Sequence, residues 1–119
     1  MRDLNEKRNS VMNKKYFLSA DQIAPIVSGL GGCLATDRVV VDGCRVGYMY
    51  RDAPLNPADS GWRFFAGDEN EAYMAQAEHH DVYDVNTIVN YDPEILPFID
   101  AEIGSKFERD SDGDFVLLE

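Results

Sequence analysis

The sequence predicts an α+β fold in which short helices pack on a mostly antiparallel sheet with two hairpins. Asp-Gly dipeptides at 42–43 and 112–113 adjoin residues of strand-like alternation, a pattern typical of tight hairpin turns. Helix-capping patterns recur, but each precedes only a short helical segment. Strands and helices do not alternate in the rhythm of βαβ units, so an all-parallel sheet is not expected.

Length and composition indicate a single globular domain. The chain has 119 residues, of which 45% are hydrophobic and 28% charged, enough for one core and unlike a disordered protein. We assign residues 19–119 to one α+β domain and residues 1–18 to a polar N-terminal tail or a loosely docked helix. The N-terminus lacks the apolar segment of a secretory signal, and no apolar run reaches the roughly 20 residues of a membrane span. We therefore expect a cytoplasmic protein.

The charge of the chain is strongly negative and unevenly spread. The formal net charge is −11. Residues 1–20 carry five basic and two acidic side chains, a charge of +3, whereas the other 99 residues carry six basic and 20 acidic ones, a charge of −14. An acidic body repels nucleic acid and anionic lipid heads and attracts basic surfaces. We expect neither a nucleic-acid nor a membrane partner, and a protein partner with a basic surface fits this charge.

The first half of the chain predicts one helix and one hairpin. Ser19 with Gln22 forms a capping-box pattern that favours a helix ending near Gly29, although Pro25 interrupts it. The first hairpin is predicted from residues 39–51, with Asp42-Gly43 as its turn. Residues 52–61 contain two prolines and read as a loop, and a strand is expected at residues 62–66.

The second half predicts short helices and a second hairpin. A helix is expected to start at Asp68 as N-cap, with Glu71 at the third position. Residues 82–89 are compatible with a strand or a short helix. Asp92-Pro93-Glu94 predicts another helix start, because proline is tolerated at the first helical position. Residues 105–109 and 114–118 predict the second hairpin around Asp112-Gly113.

The sequence offers little support for metal binding or catalysis. Cys33, Cys44, His79 and His80 do not have the spacing of a zinc site, and in a reducing compartment both cysteines are expected to be free thiols. No motif marks an activated nucleophile, and a chain of this length rarely forms the deep cleft that a catalytic carboxylate pair requires. We predict no metal, no cofactor and no enzymatic activity.

Four segments carry a resemblance to a known family. In chain order, between about residues 32 and 109, they are GCLATDRVVVDGCRVGYMYRD, DSGWRFFAGDENEAYM, YDVNTIVNYDPEILPFID and IGSKFERD. They resemble a bacterial domain family first catalogued as of unknown function and later classed among the immunity proteins of polymorphic toxin systems (class thirty-three). The resemblance implies a protein that binds and neutralises a toxin made by its own cell or its kin. It provides no catalytic residues.

Two groups of residues are candidates for a binding surface. The first comprises acids expected to face outward: Glu69, Glu78, Asp81 and Asp84. The second comprises family-motif positions that form either a shared surface or part of the framework: Asp59, Arg63, Glu108 and Arg109. Within the second group we expect Arg63 to pair with Asp59 or Glu108 at one end of the sheet.

Three functions remain open from the sequence. The first is a non-catalytic, acidic protein that binds a toxin. A basic nuclease is one candidate for the toxin, because acids mimic the phosphates that a nuclease cleft binds. The second is a small ligand-binding or homodimeric regulatory domain, which a deep pocket or a large apolar self-contact would favour. The third is an enzyme, which a buried and strongly perturbed acid pair in a cleft would favour.

Overall fold

The computed structural model describes residues 14–119, and their strands form one six-stranded sheet. In chain order the strands are β1 (Gly32–Thr36), β2 (Tyr48–Arg51), β3 (Asp59–Phe65), β4 (His80–Asp84), β5 (Lys106–Arg109) and β6 (Phe115–Leu117). Across the sheet the order is β4-β1-β3-β2-β5-β6. Only β1 and β3 run parallel within this sheet, and the other neighbours are antiparallel. The predicted α+β class with a mostly antiparallel sheet is confirmed.

Within residues 14–119, three short α-helices and three 3₁₀ segments accompany the sheet. The helices are α1 (Asp37–Val40), α2 (Glu71–Met74) and α3 (Val85–Tyr91), and the 3₁₀ segments are Ala20–Gln22, Ala77–His79 and Pro93–Phe98. Helix α1 packs on β1 and β3, and α3 packs on β1, β4 and α1. Within residues 14–119, no helix is long and apolar enough to cross a membrane.

The core lies between one face of the sheet and helices α1 and α3. Because side chains alternate between the two faces of a strand, Trp62 and Phe64 of β3 both point into this core, where each is 1% exposed. Met49 and Phe107 join them from β2 and β5. The Trp62 indole Nε1 donates a hydrogen bond to the Ile99 carbonyl at 3.0 Å, so its polar atom is satisfied in the core.

The first predicted hairpin is wrong. Val39 and Val40 lie in α1 and are completely buried, rather than forming a strand. Gly43 ends this helical turn with a φ of +79° and donates its N–H to the Val39 carbonyl at 3.2 Å. A glycine in the left-handed region suits a helix end as well as a hairpin turn, so the Asp-Gly signal did not separate the two. Residues 48–51 do form a strand, β2, which pairs with β3 and β5.

The predicted helix at residues 19–29 is reduced to the single 3₁₀ turn Ala20–Gln22. The Ser19 N–H does donate to Gln22 Oε1 at 2.8 Å, but the turn ends before Pro25, which cannot supply a helical N–H. Residues 14–28, termed the arm, run over α1 and α3 in largely irregular conformation. Of the predicted tail at 1–18, residues 1–13 lie outside the described residues, and Lys14 pairs with Asp37 at 2.8 Å.

Helix α2 starts two residues later than predicted. Its N-cap is Asn70, whose Oδ1 accepts from the Tyr73 N–H at 2.7 Å. Asp68, the predicted cap, instead forms a two-pronged ion pair with Arg38, at 3.1 Å to Nε and 2.5 Å to Nη2. The Arg38 guanidinium thereby lowers the pKa of the Asp68 carboxyl. The Asp68 carboxylate therefore binds a charged guanidinium 30 positions away instead of capping the helix next to it.

The remaining predictions for the second half of the chain are confirmed. The ambiguous segment 82–89 is both: β4 ends at Asp84, and α3 begins at the next residue. Asp92 caps the 3₁₀ segment Pro93–Phe98, which has Pro93 at its first position. The Asp92 Oδ1 accepts a hydrogen bond from the Glu94 N–H at 3.1 Å. β5 and β6 form the predicted hairpin around Asp112-Gly113.

Candidate functional site

The second face of the sheet is the main uncovered surface of the described chain. We term it the open face and define it by Leu34, Tyr48, Tyr50, Arg63, Phe65 and Val82. Helices α1 and α3 pack on the opposite face. On the open face, the 52–58 loop lies beside Leu34 and Val82, and Met74 of α2 lines a depression near Tyr50 and Phe65. The rings of Tyr48, Tyr50 and Phe65 form a half-buried cluster with centroids 5.7 to 5.9 Å apart. This surface combines exposed aromatic area with polar phenol groups, which suits a protein interface.

A buried ion pair lies in the open face. The Arg63 guanidinium donates from Nη1 to Asp59 Oδ1 at 3.0 Å and from Nη2 to Asp59 Oδ2 at 2.9 Å. Asp59 also accepts from the backbone N–H groups of Leu55 at 2.8 Å and Gly61 at 2.9 Å. The Arg63 guanidinium holds the pKa of the Asp59 carboxyl well below its usual range. The predicted pairing of Arg63 with Asp59 is confirmed, and it anchors the loop at residues 52–58 to the sheet.

A small apolar notch opens beside this ion pair, between the 52–58 loop and β4. Its volume is about 180 Å³. Leu55 forms one rim and is 80% exposed, Val82 forms the other and is 65% exposed, and Leu34 lies between them. Ligand pockets usually measure at least about 300 Å³, so the notch is small for a substrate or cofactor. It is large enough to take one side chain of a partner.

Three of the four predicted acids lie along one edge of the sheet. Asp81 and Asp84 belong to β4, an edge strand, and Glu78 precedes it; all three are exposed. We term these residues the acid edge. Asp81 Oδ1 accepts from the N–H of Val82 at 2.7 Å, which occupies an edge donor, and Asp84 Oδ1 caps α3 by accepting from the Asn86 N–H at 2.9 Å. Both carboxylates lie at the surface.

Glu69, the fourth predicted acid, is not an outward side chain. Its carboxylate accepts from the Thr36 hydroxyl at 2.5 Å and from the backbone N–H groups of Ala66 at 2.8 Å and Gly67 at 2.9 Å. The expectation that Glu69 faces outward is therefore wrong. The cause is a buried Thr36 hydroxyl and two turn amides that need an acceptor. Contact between Glu69 and a partner stays a prediction. These three hydrogen bonds make such contact less favourable, because they already occupy the carboxylate.

The remaining motif positions, Glu108 and Arg109, lie on opposite faces of β5. Glu108 is exposed next to the open face. The Arg109 guanidinium points inward and donates to the Val46 and Gly113 carbonyls at 2.7 and 2.6 Å. It also reaches Asp92 Oδ2 at 2.7 Å, and its centre lies 4.2 Å from the Phe115 ring centroid. Arg109 therefore belongs to the framework.

The reactive groups of the described residues do not form a catalytic arrangement of evident chemistry. The Cys33 thiol is buried, and desolvation raises its pKa, which disfavours the nucleophilic thiolate. Cys44 is the other free thiol. Within residues 14–119 no three His, Cys, Asp or Glu side chains converge as metal ligands. What the open face and its edge offer is binding through apolar, aromatic and acidic groups.

Sequence reasoning missed the apolar part of this surface. Leu55 lies in a proline-containing loop and Val82 in an ambiguous segment, and neither position is marked by a motif. The rims meet only because β4 and β3 flank β1 from opposite sides. The alternation of Leu34 with buried Cys33 and Ala35 was the available signal that one face of β1 differs from the other.

Comparison with protein families finds a match over most of the chain. A family model described as "Immunity protein Imm33 domain" matches residues 33–119. The match starts in β1 and includes every residue of the open face and the acid edge, whereas the arm lies outside it. Comparisons with curated proteins and with solved structures give no match.

Proposed function

Because this chain belongs to the immunity protein Imm33 domain family, we propose that it neutralises a cognate protein toxin by binding it through the open face and the acid edge. The observation that carries the proposal is the family match itself, since it spans the whole surface in question. The family suggests a toxin-neutralising role in general terms. The geometry supplies a surface through which such binding could occur without any chemical step.

The charge distribution supports a toxin with a basic surface. Residues 21–119 carry six basic and 20 acidic side chains. Glu78, Asp81 and Asp84 place three of these acids along a single strand edge next to the open face. Complementary charge accelerates association and selects against acidic competitors. An enzyme that binds nucleic acid would present such a basic surface.

The open face supports a protein rather than a small molecule as the partner. Its depressions measure about 180 Å³ at the notch and about 130 Å³ near Met74 and His80. Both lie below the size of typical ligand pockets. Half-buried Tyr48, Tyr50 and Phe65 around a satisfied ion pair resemble the aromatic centre of an interface more than a binding cleft.

The alternative function, binding of a small ligand, is supported by a different cavity. A volume of about 320 Å³ lies between the arm and the body, lined by residues that include Leu18, Val40, Tyr83 and Tyr91. This volume is within the range of ligand pockets. A rise in melting temperature with a metabolite library, in the absence of any toxin effect, would favour this function over toxin binding.

A rescue assay tests the proposed function. The reading frame next to the gene for this protein is expressed under tight control in a heterologous bacterium, with and without this protein. We expect the neighbour to stop growth and this protein alone to restore it. If the neighbouring product does not stop growth, or stops growth even when this protein is present, the neighbouring reading frame does not encode the toxin that this protein neutralises.

Charge reversal tests the part played by the acid edge. The double variant Glu78→Lys/Asp81→Lys is expected to weaken binding of the purified neighbouring product by about tenfold or more, because repulsion replaces attraction. Asp84 is left unchanged, since it caps α3. The matched control is Asp100→Lys/Glu102→Lys, which changes the net charge equally at exposed positions outside the surface. Equal losses in both variants would show that only total charge matters.

A further inference from the structure

The two most exposed large apolar side chains of the described residues face each other across the notch. Leu55 is 80% exposed and Val82 is 65% exposed. They come from a loop and an edge strand that are 27 positions apart in sequence. Single exposed apolar residues are common, but two that form opposite rims of one concave apolar site indicate a contact point.

The loop that carries Leu55 is held in place before any partner binds. The Leu55 N–H donates to Asp59 Oδ2 at 2.8 Å, and the Ala58 N–H donates to Asn56 Oδ1 at 2.8 Å. The Ala58 carbonyl accepts from the Gly32 N–H of β1 at 2.7 Å. Because these bonds already order the rim, little conformational entropy remains to be lost on binding.

The charges around the notch differ between its floor and its rim. On the floor, the Asp59 carboxylate is neutralised by Arg63 through two hydrogen bonds, so covering it leaves no unpaired charge. On the rim, Asp84 lies two residues after Val82 on the same side of β4 and pairs with Gly32 across the ladder. Asp84 is exposed, and no arginine or lysine of the described residues forms an ion pair with its carboxylate.

We propose that the notch receives one apolar side chain of the toxin, and that a lysine or arginine next to this side chain meets Asp84. The inference rests on the proposed function and identifies the central contact of that interface. The apolar side chain fills the space between Leu55 and Val82, covers both rims and excludes water from the Arg63–Asp59 pair. Such a buried anchor surrounded by weaker contacts is the usual distribution of binding energy in protein interfaces.

Matched substitutions of exposed apolar residues test the inference. Leu55→Asp and Val82→Asp introduce a charge at each rim, and Ile103→Asp and Leu117→Asp do so at positions that are 55% and 59% exposed elsewhere. The probe is the purified product of the neighbouring reading frame in a catalytically inactivated form. Both rim variants are expected to bind it at least about tenfold more weakly than the wild type, and both controls within about twofold.

The outcomes separate this inference from the proposed function. If the wild type fails to bind or neutralise the probe, the proposed function fails, and this inference fails with it. If the wild type binds and the rim variants bind equally well, only the notch is overturned. If Val82→Asp abolishes self-association without changing affinity for the probe, the occupant is a second copy of this chain, which also overturns the inference.

Hydrogen exchange gives a second measurement that does not depend on a substitution. Addition of the probe to the wild type is expected to slow amide exchange at Leu55 and in β4 at least about tenfold, because the occupant covers both rims. Exchange in β6, at the far edge of the sheet, is expected to stay unchanged. Protection of β6 without protection of Leu55 would place the toxin elsewhere and overturn the inference.

Discussion

At the scale of single residues, Arg109 shows how one side chain can join distant parts of the framework. Four of its five N–H donors reach acceptors from three regions: the Val46 and Gly113 carbonyls, Asp92 and Glu94. Asp92 also accepts from the Val46 N–H at 2.9 Å, so the network closes on itself. The planar, forked guanidinium of Arg109 can donate to all of these acceptors, whereas a lysine offers only one ammonium group.

Arg109→Lys is therefore expected to lower the free energy of unfolding by about 2–3 kcal/mol, since buried acceptors lose their donors. Urea denaturation monitored by tryptophan fluorescence measures this change. The control is Arg45→Lys, because the Arg45 side chain is 63% exposed and lies 3.8 Å from Glu94. This control is expected to cost less than about 0.5 kcal/mol. Similar losses in the two variants would contradict the framework role of Arg109.

Residue chemistry anticipated some of these roles but not their partners. The pairing of Arg63 with Asp59 was predictable, because the two residues lie four positions apart near one strand. The position of Glu69 was not, because one of its three hydrogen bonds comes from Thr36, which is 33 residues distant. A carboxylate that follows a turn is compatible with an exposed site or with satisfying buried donors, and only the neighbouring chain determines which applies.

At the scale of elements, the arm is held by two side chains of α3. Asn90 binds both backbone groups of Ala24, accepting from its N–H at 2.8 Å and donating to its carbonyl at 2.8 Å. Asn86 accepts from the N–H groups of Ile26 at 2.9 Å and Val27 at 3.0 Å. The two asparagines lie four residues apart, one turn of the helix, so both face the arm. The two asparagines supply hydrogen-bond partners for backbone N–H and C=O groups of the arm that form no regular secondary structure.

The variant Asn86→Ala/Asn90→Ala is expected to release the arm while the sheet stays folded. Amide exchange at Ala24, Ile26 and Val27 should accelerate at least about tenfold, because their hydrogen-bond acceptors are removed. Native-state hydrogen exchange by mass spectrometry or NMR measures this effect.

The control for the arm is Asn56→Ala, which removes a comparable bond to the backbone in the 52–58 loop. Exchange in the arm should stay as in the wild type in this control. Unchanged arm exchange in the double asparagine variant would show that other contacts hold the arm, such as the hydrogen bond from the Phe17 N–H to the Val40 carbonyl at 2.8 Å.

Two elements with local signals were predicted correctly. The β5–β6 hairpin and the cap at Asp92 depend on residues within a few positions of each other. The error at residues 39–43 has a physical cause. Consecutive valines favour a strand by propensity, but helix α1 buries Val39 and Val40 completely between the sheet and α3. Burial of two valines outweighs a strand propensity that spans only about 1 kcal/mol.

At the scale of the whole molecule, the acidic body predicts a salt-dependent encounter with a basic toxin. The rate of association with the neighbouring product should fall about tenfold or more between ionic strengths of about 0.02 and 0.5 M, because ions screen long-range attraction. Stopped-flow fluorescence of Trp62 or of an attached dye measures this rate. Glu78→Lys/Asp81→Lys should show a weaker salt dependence. A rate independent of salt would contradict electrostatic steering and leave the apolar contacts as the basis of binding.

The sequence by itself determined the fold class, the acidic charge, the second hairpin and the membership in a family of immunity domains. These properties follow from composition, from alternation within a strand and from motifs read along the chain. The tertiary structure alone decided that Val39 and Val40 are helical, that Glu69 points inward, and that Leu55 and Val82 form the rims of one notch. Each of these outcomes depends on a contact between residues far apart in sequence. Local sequence patterns do not show which distant segment will form that contact.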